Sequence, residues 1–154
     1  MRLFATILLA AVLALTGARA GAQLQKFETS NLTITTAQGD QRFAIELALT
    51  AAQQEQGLMY RRELATDAGM LFIFPQTQPT AFWMKNTLIP LDMLFIAADG
   101  RVADIHERAV PLSEANIPAK MPVRAVLEVN GGTVARLGIK RGDLIHYSAF
   151  GTAG

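Results

Sequence analysis

The sequence contains no cysteine. No disulfide can brace the fold and no lipid anchor can form through an N-terminal Cys, so stability has to come from a buried core. Histidine is almost as scarce. His106 and His146 have neither the spacing of a helical zinc pair nor a third partner. Asp104, His106 and Ser113 are the residue types of a nucleophilic triad, but no Gly-x-Ser-x-Gly elbow surrounds Ser113. Phosphate-cradling glycine loops are missing too; Gly131-Gly132 is explained as a strand-to-helix turn. There is no internal repeat and no low-complexity tract. These absences remove the commonest signatures of hydrolases, nucleotide enzymes and metalloproteins, and the sequence calls for no metal and no cofactor.

What is present begins with an address. Arg2 precedes an almost unbroken apolar run, 3–15, and Ala18-Arg19-Ala20 is an Ala-x-Ala cleavage site. This is the pattern of a secretory signal peptide over residues 1–20. The run is too short for the ~20 residues of a membrane span, and no later segment reaches that length. The mature protein is therefore expected to be exported, periplasmic or extracellular, beginning near Gly21 or Gln23. Loss of Arg2 and Arg19 reduces the 14 basic residues to 12 against 13 acidic ones, moving the formal charge from +1 to about −1. Such a chain lacks the basic field on which nucleic-acid binding depends. The expected partner is a small molecule or an envelope protein.

After a polar leader, 21–30, one domain is expected over 31–150. Segments 32–36 and 43–49 alternate apolar and polar residues around Gln38-Gly39-Asp40, the pattern of a β-hairpin. Thr50 and Gln53 have capping-box spacing ahead of helix formers 51–56, and Gly57 ends that helix. Further strands are expected at 69–74, 81–85, 91–97, 101–107, 123–129 and 143–147, punctuated by Pro75, Pro79 and Pro90. Segment 109–122, with Pro111, Pro118 and Pro122, is the longest irregular loop, a kind that often carries function. Thr133 is expected to cap a one-turn helix to Leu137, with Gly138 following it. Segments 70–74 and 93–96 are apolar on both faces, so both faces must be covered. The expected fold is mostly β: a small closed or nearly closed barrel of about seven or eight short strands with one or two short helices.

Stretch 57–96 concentrates the unusual residues: four of six methionines, the single tryptophan and four of eight phenylalanines. Met59, Met70, Met84 and Met93 suggest either a thioether site for Cu(I) or gap-filling core. No neighbouring histidines accompany them, which favours the core. The string Gly57-Leu58-Met59, Gly69-Met70-Leu71-Phe72, Phe82-Trp83-Met84-Lys85-Asn86-Thr87 and Leu91-Asp92 resembles the bacterial and archaeal family called domain of unknown function 192. Val126-Leu127-Glu128 and Gly142-Asp143 extend the likeness across about residues 30–148. The resemblance implies an exported, small, mostly-β domain and assigns no activity. GIKRGDLI is also similar to the Gly-Asp turn of cradle-loop barrels.

Arg61, Lys85, Asn86, Asp92 and Glu128 are polar residues set in otherwise apolar strings. Asp92 shares a strand face with Leu94 and Ile96, and a carboxylate there must be paired, hydrogen-bonded or protonated. A structural pair of Asp92 with Lys85 or Arg61 is one expectation; a polar cluster orienting a ligand at a barrel mouth is the other. Function follows the same fork. A non-catalytic binding or interaction module of the cell envelope stands first. A hydrolase or lyase-type enzyme is the alternative, with Asp92 or Glu128 as acid/base and Lys85 or Arg61 holding an anionic group.

Overall fold

A computed structural model describes residues 24–153. The signal peptide expected over 1–20 lies outside the described residues. The first alternating segments form β1 (Glu28–Thr36) and β2 (Gly39–Ala48), an antiparallel hairpin whose turn is tied by Thr36 Oγ1 donating to Gly39 O at 3.0 Å. Helix α1 (Ala51–Gln56) starts at the expected capping box: Thr50 Oγ1 accepts from the Gln53 N–H, and Gln53 Oε1 accepts from the Thr50 N–H. β3 (Ala68–Gln78) then pairs parallel with β2. A parallel pair needs a crossover, and α1 with the segment 57–67 supplies it.

β4 (Ala81–Phe82) is far shorter than the expected strand 81–85. It pairs only with β7 (Ile117–Pro118), and at Trp83 the chain leaves the ribbon for a turn. β5 (Leu91–Ile96), β6 (Val102–Ala109) and β8 (Val123–Asn130) join the main sheet. α2 (Thr133–Leu137) and β9 (Leu144–His146) complete the order β6-β5-β8-β3-β2-β1-β9. An isolated bridge between Arg101 and Leu144 brings the two ends of the sheet together. The architecture is mostly β: a strongly curled, nearly closed half-barrel with two short helices. Among the described residues no helix is long and apolar enough to cross a membrane.

Both sheet faces are covered, as the two-sided apolar strands require. One cluster draws on all seven strands, including Ile34, Phe43, Leu71, Leu94, Leu127 and Ile145, and also takes in α2. The opposite face carries Met70, Phe72, Met93, Phe95 and Val126. Leu58, Met84 and segment 109–119 cover that face. Three of the four methionines are thus core material; Met59 alone is half-buried. The outer cover is built from turns and loops, and they open into clefts where they meet α1.

Candidate functional site

Phe82 and Met84 point into the outer core, while Trp83 is 41% exposed. The following turn is fixed by backbone geometry. The Thr87 N–H donates to Met84 O at 3.0 Å, and Thr87 Oγ1 donates to Lys85 O at 3.2 Å. The long loop clamps it from outside: the Met84 N–H donates to Ser113 O, and the Leu112 N–H donates to Thr87 O. Asn86 adopts φ 54 and Tyr60 φ 66, two non-glycine residues in the left-handed region. They lock each other. The Tyr60 N–H donates to Asn86 O at 2.8 Å, and Asn86 Nδ2 donates to Tyr60 Oη at 3.0 Å. Asparagine tolerates this conformation; for tyrosine it costs roughly 1–2 kcal/mol, which the surrounding bonds offset. Such strain clusters where a segment must hold a fixed shape.

The turn presents Trp83, Lys85, Asn86 and Tyr60 to a cleft of about 590 Å³ whose far wall is α1. Lys85 Nζ lies 4.9 Å from the Trp83 ring centroid, a cation–π arrangement, and has no carboxylate within ion-pair distance among the described residues. The volume suits a small molecule.

Glu128 lies next door. On β8 it faces Met70 of β3 and Met93 of β5, is 4% exposed, and makes no hydrogen bond among the described residues. Burial pushes its carboxyl up to about 8, because desolvation disfavours the charged form. It lines a cavity of about 30 Å³ together with Thr87, Phe82, Met59 and Trp83. Met59, Trp83, Glu55 and Gln56 wall both spaces, so the buried carboxyl sits behind the cleft.

Asp92 turns the other way. It is fully buried and pairs with neither Lys85 nor Arg61, correcting the expected ion pair. Its Oδ1 accepts from the backbone N–H groups of Arg108 (2.8 Å) and Gly132 (3.0 Å); its Oδ2 accepts from Gly132 (3.0 Å) and Val134 (2.8 Å). The N-cap of α2 is Gly132 at φ 92, not Thr133, and the first amides of that helix are taken by a carboxylate from β5. Sequence spacing of α2 alone could not reveal a cap donated from 40 residues away. Arg61 is ion-paired with Glu46 of β2 and lies over the Phe27 ring, outside the cleft. Of the five candidate residues, Lys85, Asn86 and Glu128 are brought together; Arg61 and Asp92 are held elsewhere.

The triad residue types are dispersed in role. Asp104 is ion-paired with Lys120 and Arg141. Burial alone would raise its pKa, but the Ile105 N–H and these two cations outweigh that and lower it. His106 is exposed, and Ser113 Oγ accepts from the Ala115 N–H. His146 is half-buried between Thr35 Oγ1 and Thr152 O. It borders a second cleft, about 650 Å³, along the β1 edge. That cleft is the larger, yet its histidine is already bonded and no buried carboxyl backs it. Trp83 and Tyr60 were missed in the sequence. The signal was period two: Trp83 and Lys85 alternate with the apolar Phe82 and Met84 and share the outward side.

If Lys85 serves the cleft and Asp92 the helix cap, the two are energetically independent. Lys85→Met is expected to change the melting temperature by no more than 1–2 °C, the size of an ordinary surface substitution of about ±0.5 kcal/mol. Its effect should add to that of Asp92→Asn within about 0.5 kcal/mol. Thermal melts of the two single variants and the double variant check this; a coupling energy above about 1 kcal/mol would reinstate the pair.

The family model of DUF192, described as an uncharacterized ACR, matches residues 33–147. A crystal structure of a "putative transcription regulator" from Sinorhizobium meliloti 1021 is 49% identical, with a TM-score of 0.79, over 82% of this chain and 99% of that one. A protein of unknown function from Novosphingobium aromaticivorans DSM 12444 is 46% identical, with a TM-score of 0.76, over 77% of this chain and 85% of that one. No curated protein matches the sequence.

Proposed function

This chain belongs to the DUF192 family, and from that footing we propose that it is an exported, non-catalytic binding module of the cell envelope that holds a small molecule in the Trp83 cleft. The observation that carries this is the mutually locked pair Tyr60 and Asn86, which fixes an exposed indole and an unpaired ammonium at the rim of a preformed concavity. A rigid rim lowers the ordering cost of capture. Trp83 and Tyr60 offer ring faces to a ligand, and Lys85 offers charge to an anionic group. Export places the module among envelope solutes. The transcription-regulator description of the Sinorhizobium relative is not carried over, because the mature chain lacks the basic excess that nucleic-acid binding relies on.

The test is equilibrium dialysis of the protein against the low-molecular-mass fraction of a bacterial envelope extract, read by mass spectrometry. A compound enriched by the wild type is expected to lose at least tenfold in affinity with Trp83→Ala and with Lys85→Met, both variants remaining folded. Capture unaffected by either change contradicts the proposal. The acid–base enzyme alternative narrows to Glu128, since every oxygen of Asp92 is committed to backbone amides and Arg61 to Glu46. What favours it is the raised pKa of Glu128, near the range where proton transfer is efficient. Turnover of the captured compound, abolished by Glu128→Gln, is what would establish it.

A further inference from the structure

The small cavity behind Trp83 has a one-sided chemistry. Its ionisable lining residues are Glu128 and Glu55, both acidic, and no basic side chain joins them. Phe72, Phe82 and Trp83 supply three aromatic side chains, with Phe72 and Phe82 edge to face at 4.9 Å. Met59 and Thr87 also line it. A carboxyl among aromatic rings is the lining that recognises an organic cation. The cavity volume, about 30 Å³, is the space of one water molecule and equally of one –NH₃⁺ group. A hydrated metal ion does not fit, and among the described residues no cluster of three metal-ligating His, Cys, Asp or Glu exists.

We propose that the protein binds its ligand through a primary ammonium group seated against Glu128, with the remainder of the ligand in the Trp83–Lys85 cleft. This rests on the cleft being a ligand site and names the chemistry the ligand must carry. Glu128 suits such a partner: it is 4% exposed, makes no hydrogen bond among the described residues, and lines a hole of the right size. The groups around it leave the role open. β3 and β5 present Met70 and Met93, α1 presents the exposed Glu55, and Lys85 lies in the adjoining cleft. In the free protein at pH 7 burial keeps Glu128 protonated. An ammonium beside it favours the carboxylate, so binding transfers the Glu128 proton to solvent and leaves the pair R–NH₃⁺ and –COO⁻. Affinity should therefore rise nearly tenfold per pH unit up to the Glu128 titration.

Isothermal titration calorimetry with n-butylammonium chloride tests this, using 1-butanol as the neutral match and phosphate and Tris as buffers. Trp83 emission, from the single tryptophan of the chain, is read in parallel. Butylammonium is expected to bind at least tenfold more tightly than butanol, to release close to one proton per site at pH 7, and to weaken nearly tenfold per unit as the pH falls from 7 to 5. Glu128→Gln should lose at least tenfold in affinity and all proton release, with an unchanged circular dichroism spectrum. The pH series on the wild type makes the same test without a substitution. Equal binding of butanol, no proton release, or unchanged binding by Glu128→Gln overturns the proposal. If butylammonium fails while an extract compound still binds in a Lys85-dependent way, the ammonium chemistry is wrong and the cleft stands; if Trp83 and Lys85 variants lose nothing, both fall.

Discussion

Asp92→Ala is expected to lower the stability of the protein by about 3–6 kcal/mol, measured by urea denaturation at neutral pH. The substitution removes the acceptor for three backbone N–H groups, those of Arg108, Gly132 and Val134. Each buried donor left unsatisfied costs about 1–3 kcal/mol. The loss spreads beyond one strand. Arg108 holds φ 51 and Gly132 φ 92, so the carboxylate also secures two backbone positions of unusual geometry, one on β6 and one at the start of α2. Natural domains have only about 5–15 kcal/mol in hand, so the variant should be partly unfolded at 37 °C. Asp92→Asn keeps one carbonyl oxygen and should cost about half as much. If the alanine variant loses under 1 kcal/mol, the carboxylate does not hold the start of α2 to β5 and β6.

Glu128→Gln should have the opposite sign above neutrality. In the folded protein burial raises the Glu128 pKa from 4.5 to about 8. Below pH 4.5 the folded and unfolded states both hold the proton, and Glu128 imposes no charge penalty. Between those two values the folded state holds a proton that the unfolded state has released, so stability falls as pH rises; above about 8 the loss is complete. At about 1.4 kcal/mol per unit the full loss is of order 4–5 kcal/mol. The amide cannot ionise and keeps the shape. Denaturation curves from pH 5 to 9 should show the wild type weakening relative to Glu128→Gln by that amount, and taking the difference between the two proteins cancels titrations elsewhere. Parallel curves would mean that the carboxyl is solvated or paired in solution.

Much of this fold was legible because its local signals agree. Alternation around Gln38-Gly39-Asp40 sets the first hairpin, Thr50 and Gln53 set α1, and apolar residues on both faces of β5 require cover on both. The parallel pairing of β2 with β3 was not legible, since strand partners depend on where the crossover packs and not on either strand's pattern. The strand expected at 81–85 failed after Phe82 for a related reason. Trp83 and Lys85 alternate as strand residues do, but β7 offers only two residues to pair with, and tertiary bonds to Ser113 and Leu112 bend the chain into a turn. The same limit governed the site. Lys85, Asn86 and Glu128 were marked by polarity in apolar strings, and polarity marked Asp92 and Arg61 equally. Only three-dimensional placement separates a carboxylate saturated by amides from a carboxyl that lines a cavity.

The most direct test of the Trp83 cleft as the ligand site is the ¹H–¹⁵N spectrum of the protein during titration with the envelope compound recovered by dialysis. One tryptophan gives one indole resonance, free of assignment ambiguity. That resonance should shift saturably with the ligand, together with the amides of Lys85 and Asn86, and should stay fixed in Lys85→Met. Saturable binding that leaves the Trp83 indole unmoved while shifting the amides of His146 and Tyr147, beside the cleft along β1, would contradict it.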